Sequence, residues 1–330
     1  MSGLVPRERL IWIDWMKSIG MLLVIWGHCF PEVMSGFIYA FNVPVFFVVA
    51  GYLTKHEQST RVFFSKILNG LVVPYFILAI IKAAGYIFNH LDDGQWLWSI
   101  FAIVAGFHQL HDAAGCSNLW FVYTLIIIKV IFQFFPDRRA LLSFLAILCA
   151  LVYNHFDLNQ PWSVTNVMLA LPFFMLGNYC TDIRSVGKTG MLKRWHYLVI
   201  VSLCAVVVFL IGCYNGPAYM FKCSYGESFL LFSVASVAGC VMVYLISMLL
   251  NKYDWRIVRV SSVGTIVTLV FHRELLHEPL KWIDAQNFSV LIENVFMFLL
   301  SVIVLLAFVP IILLVKRFIP IVLGRRAKSV

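Results

Sequence analysis

Charged side chains are scarce in this sequence. Asp, Glu, Lys and Arg make up 12% of its 330 residues, about half the share soluble domains carry, which excludes an ordinary water-soluble domain. The eight cysteines contain no CxxC pair and no regular spacing, so neither a metal cluster nor a disulfide scaffold is expected. Most read as small apolar packing residues, and Cys213 and Cys223 are the one pair placed to bridge across a short outer loop. There is no Gly-rich phosphate loop, no low-complexity tract and no internal repeat, so carriers built from inverted repeats gain no direct support. The formal charge of +9 could point to nucleic acid, but the position of the cations relative to the apolar runs decides first, and it indicates topology instead.

Apolar residues account for 62% of the chain, including 29 Phe and 10 Trp, and the mean hydropathy is +0.89. These values predict an all-α polytopic membrane protein forming one domain over residues 1–330. A span needs about 20 apolar residues. Runs of that kind or slightly shorter centre on 11–30, 36–54, 67–88, 119–135, 140–154, 163–180, 196–213, 227–250, 258–276 and 290–315. The run Trp96 to Phe107 is too short to cross and reads as re-entrant or interfacial. The first run carries Asp14 and Lys17 and no cleavage site follows it, so it reads as a retained span.

Lys and Arg test the count, because cytoplasmic loops collect them. Alternation over ten spans puts Arg7 and Arg9, Lys55 to Lys66, Arg138 and Arg139, Arg184 to Arg194, Lys252 to Arg259 and the C-terminal tail on one side. The opposite loops hold only Lys222 and Lys281, with Arg273 near a span end, while 89–95 and 108–118 contain no Lys or Arg. Both termini are therefore expected to be cytoplasmic, and ten spans fit better than eleven.

Ionisable groups inside apolar spans normally face protein or water, at a cost of roughly 2.5–3.5 kcal/mol at a helix centre on insertion scales. Lys17 and His28 are eleven residues apart, close to three helical turns, so they share a face about 16 Å long that can line one cavity. Asp14, three residues before Lys17, lies on neighbouring surface and can neutralise or position it. Snorkelling near the span end is the competing explanation for Asp14 and Lys17.

The segment from Ile13 to His28 resembles the start of the membrane-bound acyltransferase family 3, whose first span carries Arg or Lys, ten residues, then His. Ile38 to Leu53, "IYAFNVPVFFVVAGYL", is similar to the family's Phe-His-Met-Pro-Leu-Phe-Phe followed by Ser-Gly-Tyr-Leu, closest to its sugar O-acetylase branch. Asn42 and Ala50 stand where His and Ser are commoner. Further matches follow in order: Lys66 before "VVPYF" (72–76), "NLWFVYTL" (118–125), "LPFFMLGN" (171–178) and "SSVGTIVTLVFH" (261–272). Lys66 departs from the family's usual Arg with further basic residues.

The resemblance implies transfer of an acyl group, usually acetyl from acetyl-CoA, to a hydroxyl of a carbohydrate, glycolipid or other envelope acceptor, at a bacterial inner membrane and in contact with its lipids. A hydroxyl attacks a thioester poorly until a base removes its proton, and imidazole suits that task at neutral pH. His28 is the expected base, and His272 is either a second ring in the same outer chamber or an interfacial His hydrogen-bonded to backbone. Glu32 either orients His28 or is an ordinary loop carboxylate. Asp14, Lys17, Lys66 and Arg61 are the candidates around the acyl-CoA phosphates, the Lys55–Lys66 loop being equally readable as a topology signal; Asn42, Trp120 and His111 are the candidates for acceptor contact, against interfacial anchoring for Trp120 and plain solvation for His111. Lys82 and Lys129 have no expected role beyond pairing or snorkelling. A proton-linked saccharide transporter is the rival reading, and a non-catalytic sensor or scaffold a third.

Overall fold

The computed structural model describes residues 9–89, 91–92, 94–106, 116–156, 158, 163–186 and 193–324. Among these the chain is helical and contains no strand. The helices are α1 (Ile11–Gly27), α2 (Ser35–Phe41), α3 (Pro44–Leu53), α4 (Thr60–Ile67), α5 (Val73–Asn89), α6 (Gln95–Ala105), α7 (Trp120–Phe134), α8 (Arg139–His155), α9 (Val167–Val186), α10 (Arg194–Asn215), α11 (Phe229–Leu250), α12 (Arg256–Val263), α13 (Thr265–Ala285) and α14 (Val290–Phe318).

Among the described residues, six segments are long and apolar enough to cross a bilayer: Ser35–Leu53, Thr60–Asn89, Ser117–Phe134, Arg194–Asn215, Phe229–Leu250 and Val290–Phe318. Each matches one of the ten expected runs. The other four runs are also helical but short or diluted: α1 and α8 have 17 residues each, and α9 and the α12–α13 pair carry polar residues such as Asp182, Arg259 and Arg273. The Trp96 run forms α6, of 11 residues.

Local sequence explains where helices break. Pro44 has no N–H to offer, so the run 36–54 divides into α2 and α3, with Pro44 opening the second. Ser59 and Ser228 cap α4 and α11 by accepting from Val62 N and Leu231 N. Between α4 and α5 a π-turn over Leu68–Val72 widens the helix.

Helix α1 is the hub, packed against α2, α3, α11, α12, α13 and α14. Its second half joins a core with Tyr75, Val267 and Phe308, and its first half one with Phe41, Val45 and Val243. A third core joins Phe47 of α3, Phe132 of α7 and Phe174 of α9. Small residues let backbones meet: a Cβ on Gly51 would strike the Phe174 carbonyl, and one on Gly177 the Val48 carbonyl, so α3 and α9 cross with no room for a side chain at either glycine. Asn178 ties the same crossing by donating to Gly51 O at 3.2 Å and Thr54 O at 2.9 Å. Outward, α10 and α14 expose Leu203, Leu210, Leu299 and Ile303, a surface suited to hydrocarbon. All eight cysteines are free, Cys213 exposed and Cys223 buried, so these two do not bridge.

Candidate active site

One cavity of about 750 Å³ runs through the helical bundle. Lys17, Met21, Val24 and His28 all line it. Their spacings of four, three and four residues trace one stripe of α1, so the helical period alone brings the cation and the imidazole to a common wall.

At one end His28 meets His272. The His28 Nδ1 lies 3.1 Å from His272 Nε2 and 2.8 Å from the Val24 carbonyl. His272, fully buried, turns its Nδ1 to the carbonyls of Thr268 at 2.9 Å and Leu269 at 3.0 Å. Carbonyls only accept, so the His272 proton sits on Nδ1 and its Nε2 presents a lone pair. His28 Nδ1 faces two acceptors, Val24 O and His272 Nε2, and therefore carries the His28 proton. The remaining nitrogen, His28 Nε2, holds a lone pair without a protein partner among the described residues. This is the arrangement of an oriented base: one ring nitrogen fixed by acceptors, the other basic and free.

Glu32 does not take the orienting role the sequence suggested for it. Helix α1 ends at Gly27 and the chain turns through Phe30 at φ 54°, so residues 28 and 32 are not on consecutive turns of a helix. Glu32 is exposed, and the partners of His28 Nδ1 are Val24 and His272.

Asp14 lies close enough to Lys17 to interact with it electrostatically, but it does not line the cavity. Its Oδ2 accepts from Arg9 Nε at 2.5 Å and its Oδ1 from Ser262 Oγ at 2.6 Å. The carboxylate is thus held by Arg9 and α12 behind the cavity wall, and no ion pair joins it to Lys17. Lys17 has no hydrogen-bond or ion-pair partner among the described residues.

Sequence reasoning gave Lys129 no part in the site, yet it lines the same cavity and donates from Nζ to Thr54 Oγ1 at 2.7 Å. It sits on α7 in an apolar run with no motif to flag it; the only signal was its charge inside a span. Lys82, its counterpart in α5, is neutralised by Glu274. Asn42 is buried and lines the cavity, its Oδ1 accepting from Val43 N at 2.8 Å. Trp120 lines it too. His111 lies outside the described residues.

Arg61 and Lys66 line a separate open hollow of about 570 Å³, where Lys66 pairs with the Glu57 carboxylate at 2.5 Å. Gly70, inside the π-turn, lines both this hollow and the deep cavity. π-turns recur at functional positions in helices because they displace the backbone locally.

The family model described as the acyltransferase domain matches residues 10–316. The chain belongs to this family, the membrane-bound acyltransferase family 3, and is an integral membrane protein with acyltransferase activity as its family function. No curated protein and no solved structure matches it.

Proposed function

We propose that the chain is a membrane O-acyltransferase that moves an acetyl or similar acyl group from cytoplasmic acyl-CoA to a hydroxyl of an envelope carbohydrate or glycolipid. It would do so in a bacterial inner membrane, with ten spans and both termini cytoplasmic. The observation that carries the reading is the cavity that holds His28, with its free Nε2, and Lys17 on one wall.

The Lys17 end of the cavity also holds Lys129, and among the described residues no Asp or Glu lines the cavity. Two cations facing apolar surroundings, with the one nearby carboxylate, Asp14, already held by Arg9 and Ser262, are costly, and an anionic ligand offsets that cost. Acyl-CoA brings phosphates, and its neutral pantetheine arm is long enough to reach from a cationic mouth toward His28. The Arg61–Lys66 hollow, meeting the cavity at Gly70, gives that arm an entry from the cytoplasmic side of the expected topology. At the other end His28 Nε2 takes the proton of the acceptor hydroxyl as its oxygen attacks the thioester carbonyl. The C–S bond breaks, the ester forms, and the CoA sulfur leaves and takes up a proton. His272 Nε2 and Val24 O, both accepting from His28 Nδ1–H, hold the ring in place while it becomes cationic.

The purified protein with acetyl-labelled CoA and crude envelope saccharide tests this: label should appear in saccharide as an alkali-labile ester. Absence of labelled ester together with saccharide uptake by proteoliposomes would replace the reading with the transporter.

A further inference from the structure

We infer that the acceptor is anionic, bearing a carboxylate or a phosphate that Arg273 and Lys222 bind at the His28 end of the cavity. The inference rests on the acyltransferase reading and names its substrate class.

Among the described residues the cavity has two more cations besides Lys17 and Lys129, namely Arg273 and Lys222, and again no carboxylate lines it. These two belong to the end where His28 and His272 meet: Arg273 follows His272 on α13, and Lys222 closes a short turn, Met220–Lys222, between α10 and α11. The phosphates of the donor account for the opposite end. The pantetheine arm and thioester that would lie beside His28 carry no charge, so the donor gives Arg273 and Lys222 no counter-ion.

Neighbouring cations on the same side are neutralised. Lys82 pairs with Glu274, the residue next to Arg273, and Lys281 pairs with Glu278 at 3.0 Å. Arg273 has a neutral partner instead: Nη1 donates to Ser117 Oγ at 3.1 Å, which orients the guanidinium and leaves most of its five N–H donors for a planar anion. Lys222 has no ion pair among the described residues and rests near the rings of Phe221 and Tyr219, 5.4 and 6.0 Å from Nζ. Its turn is rigid. Lys222 N donates to Tyr219 O at 2.8 Å, Cys223 N to Met220 O at 3.0 Å, and Asn154 Nδ2 ties the Cys223 carbonyl to α8 at 2.7 Å. Tyr219 and Tyr39, ring centroids 5.1 Å apart, also line the chamber and offer apolar faces to a sugar ring beside the two cations. Outer loops of a membrane protein normally carry few cations, so topology does not call for this pair.

The test compares three probes that share a hexose frame and differ in charge: glucose, glucuronate and glucose 6-phosphate. Their affinities are measured for the full-length protein in detergent and for the Arg273→Gln/Lys222→Gln double variant, with acetyl-CoA affinity read on the same samples. At least one anionic probe should bind roughly tenfold tighter than glucose, the scale of one or two charge-assisted hydrogen bonds. That advantage should vanish in the double variant while acetyl-CoA affinity stays unchanged. Preference for glucuronate identifies a carboxylate, preference for glucose 6-phosphate a phosphate. Equal binding of all three probes, or a preference that survives the double substitution, overturns the inference. Loss of acetyl-CoA binding by the unsubstituted protein would instead strike the acyltransferase reading, and the probe affinities would still decide the anion site.

Discussion

Lys17 and His28 illustrate how far single residues could be read. Their eleven-residue spacing announced a shared face, and the cavity lines that face with both. Glu32 could not be placed the same way, because an i, i+4 argument holds only while the helix continues and α1 ends at Gly27. The partner that replaces it, His272, is 244 residues away, beyond the reach of any local periodicity. His28→Ala should lower turnover by roughly 10²- to 10⁴-fold, the usual worth of a positioned base, with acetyl-CoA affinity retained; equilibrium binding beside steady-state kinetics checks both. His272 is a positioning residue, since it acts through His28. His272→Ala should reduce kcat with KM nearly unchanged and alter the pH profile of kcat, while His272→Gln, whose amide oxygen can accept in place of Nε2, should recover part of the rate. Lys17→Ala should weaken acetyl-CoA binding by roughly tenfold, consistent with loss of one charge-assisted contact. An unchanged dissociation constant would return Lys17 to snorkelling.

At the scale of elements, the apolar runs mapped onto helices because run length and composition largely fix a helix in hydrocarbon. What the runs could not show was how helices meet. Gly51 lies inside a run that reads as continuous, but α3 breaks from α2 at Pro44 and presses its glycine onto the Phe174 carbonyl. A glycine in an apolar run looks the same whether it faces lipid or a backbone, which is why this crossing was not legible. Gly51→Leu should therefore disrupt the α3–α9 crossing, costing on the order of 1–3 kcal/mol or more as overpacking does. Gly85, with open space around its position, supplies the control: Gly85→Ala should leave the melting temperature of the detergent-solubilised protein near that of the parent, while Gly51→Leu lowers it. Lys129 was similarly silent, since its role arises from α7 facing α1 across the cavity and not from its neighbours in sequence.

For the whole molecule, the proposed transfer needs opposite ends of one cavity to serve opposite sides of a membrane, donor from the Lys17 side and acceptor from the His28 side. The asymmetry of Lys and Arg along the chain is the feature from which that polarity is expected. It predicts that a fluorescent protein fused at either terminus glows in intact cells and that alkaline phosphatase fused at either is inactive; the reverse at one terminus would break the ten-span arrangement. The central claim, that His28 is the base of an acyl transfer, is tested most directly by release of free CoA thiol from acetyl-CoA by the purified protein, with and without envelope saccharide, beside His28→Ala. The account predicts saccharide-stimulated release that is lost in a folded His28→Ala protein still binding acetyl-CoA. Equal release by the parent and the variant would contradict it.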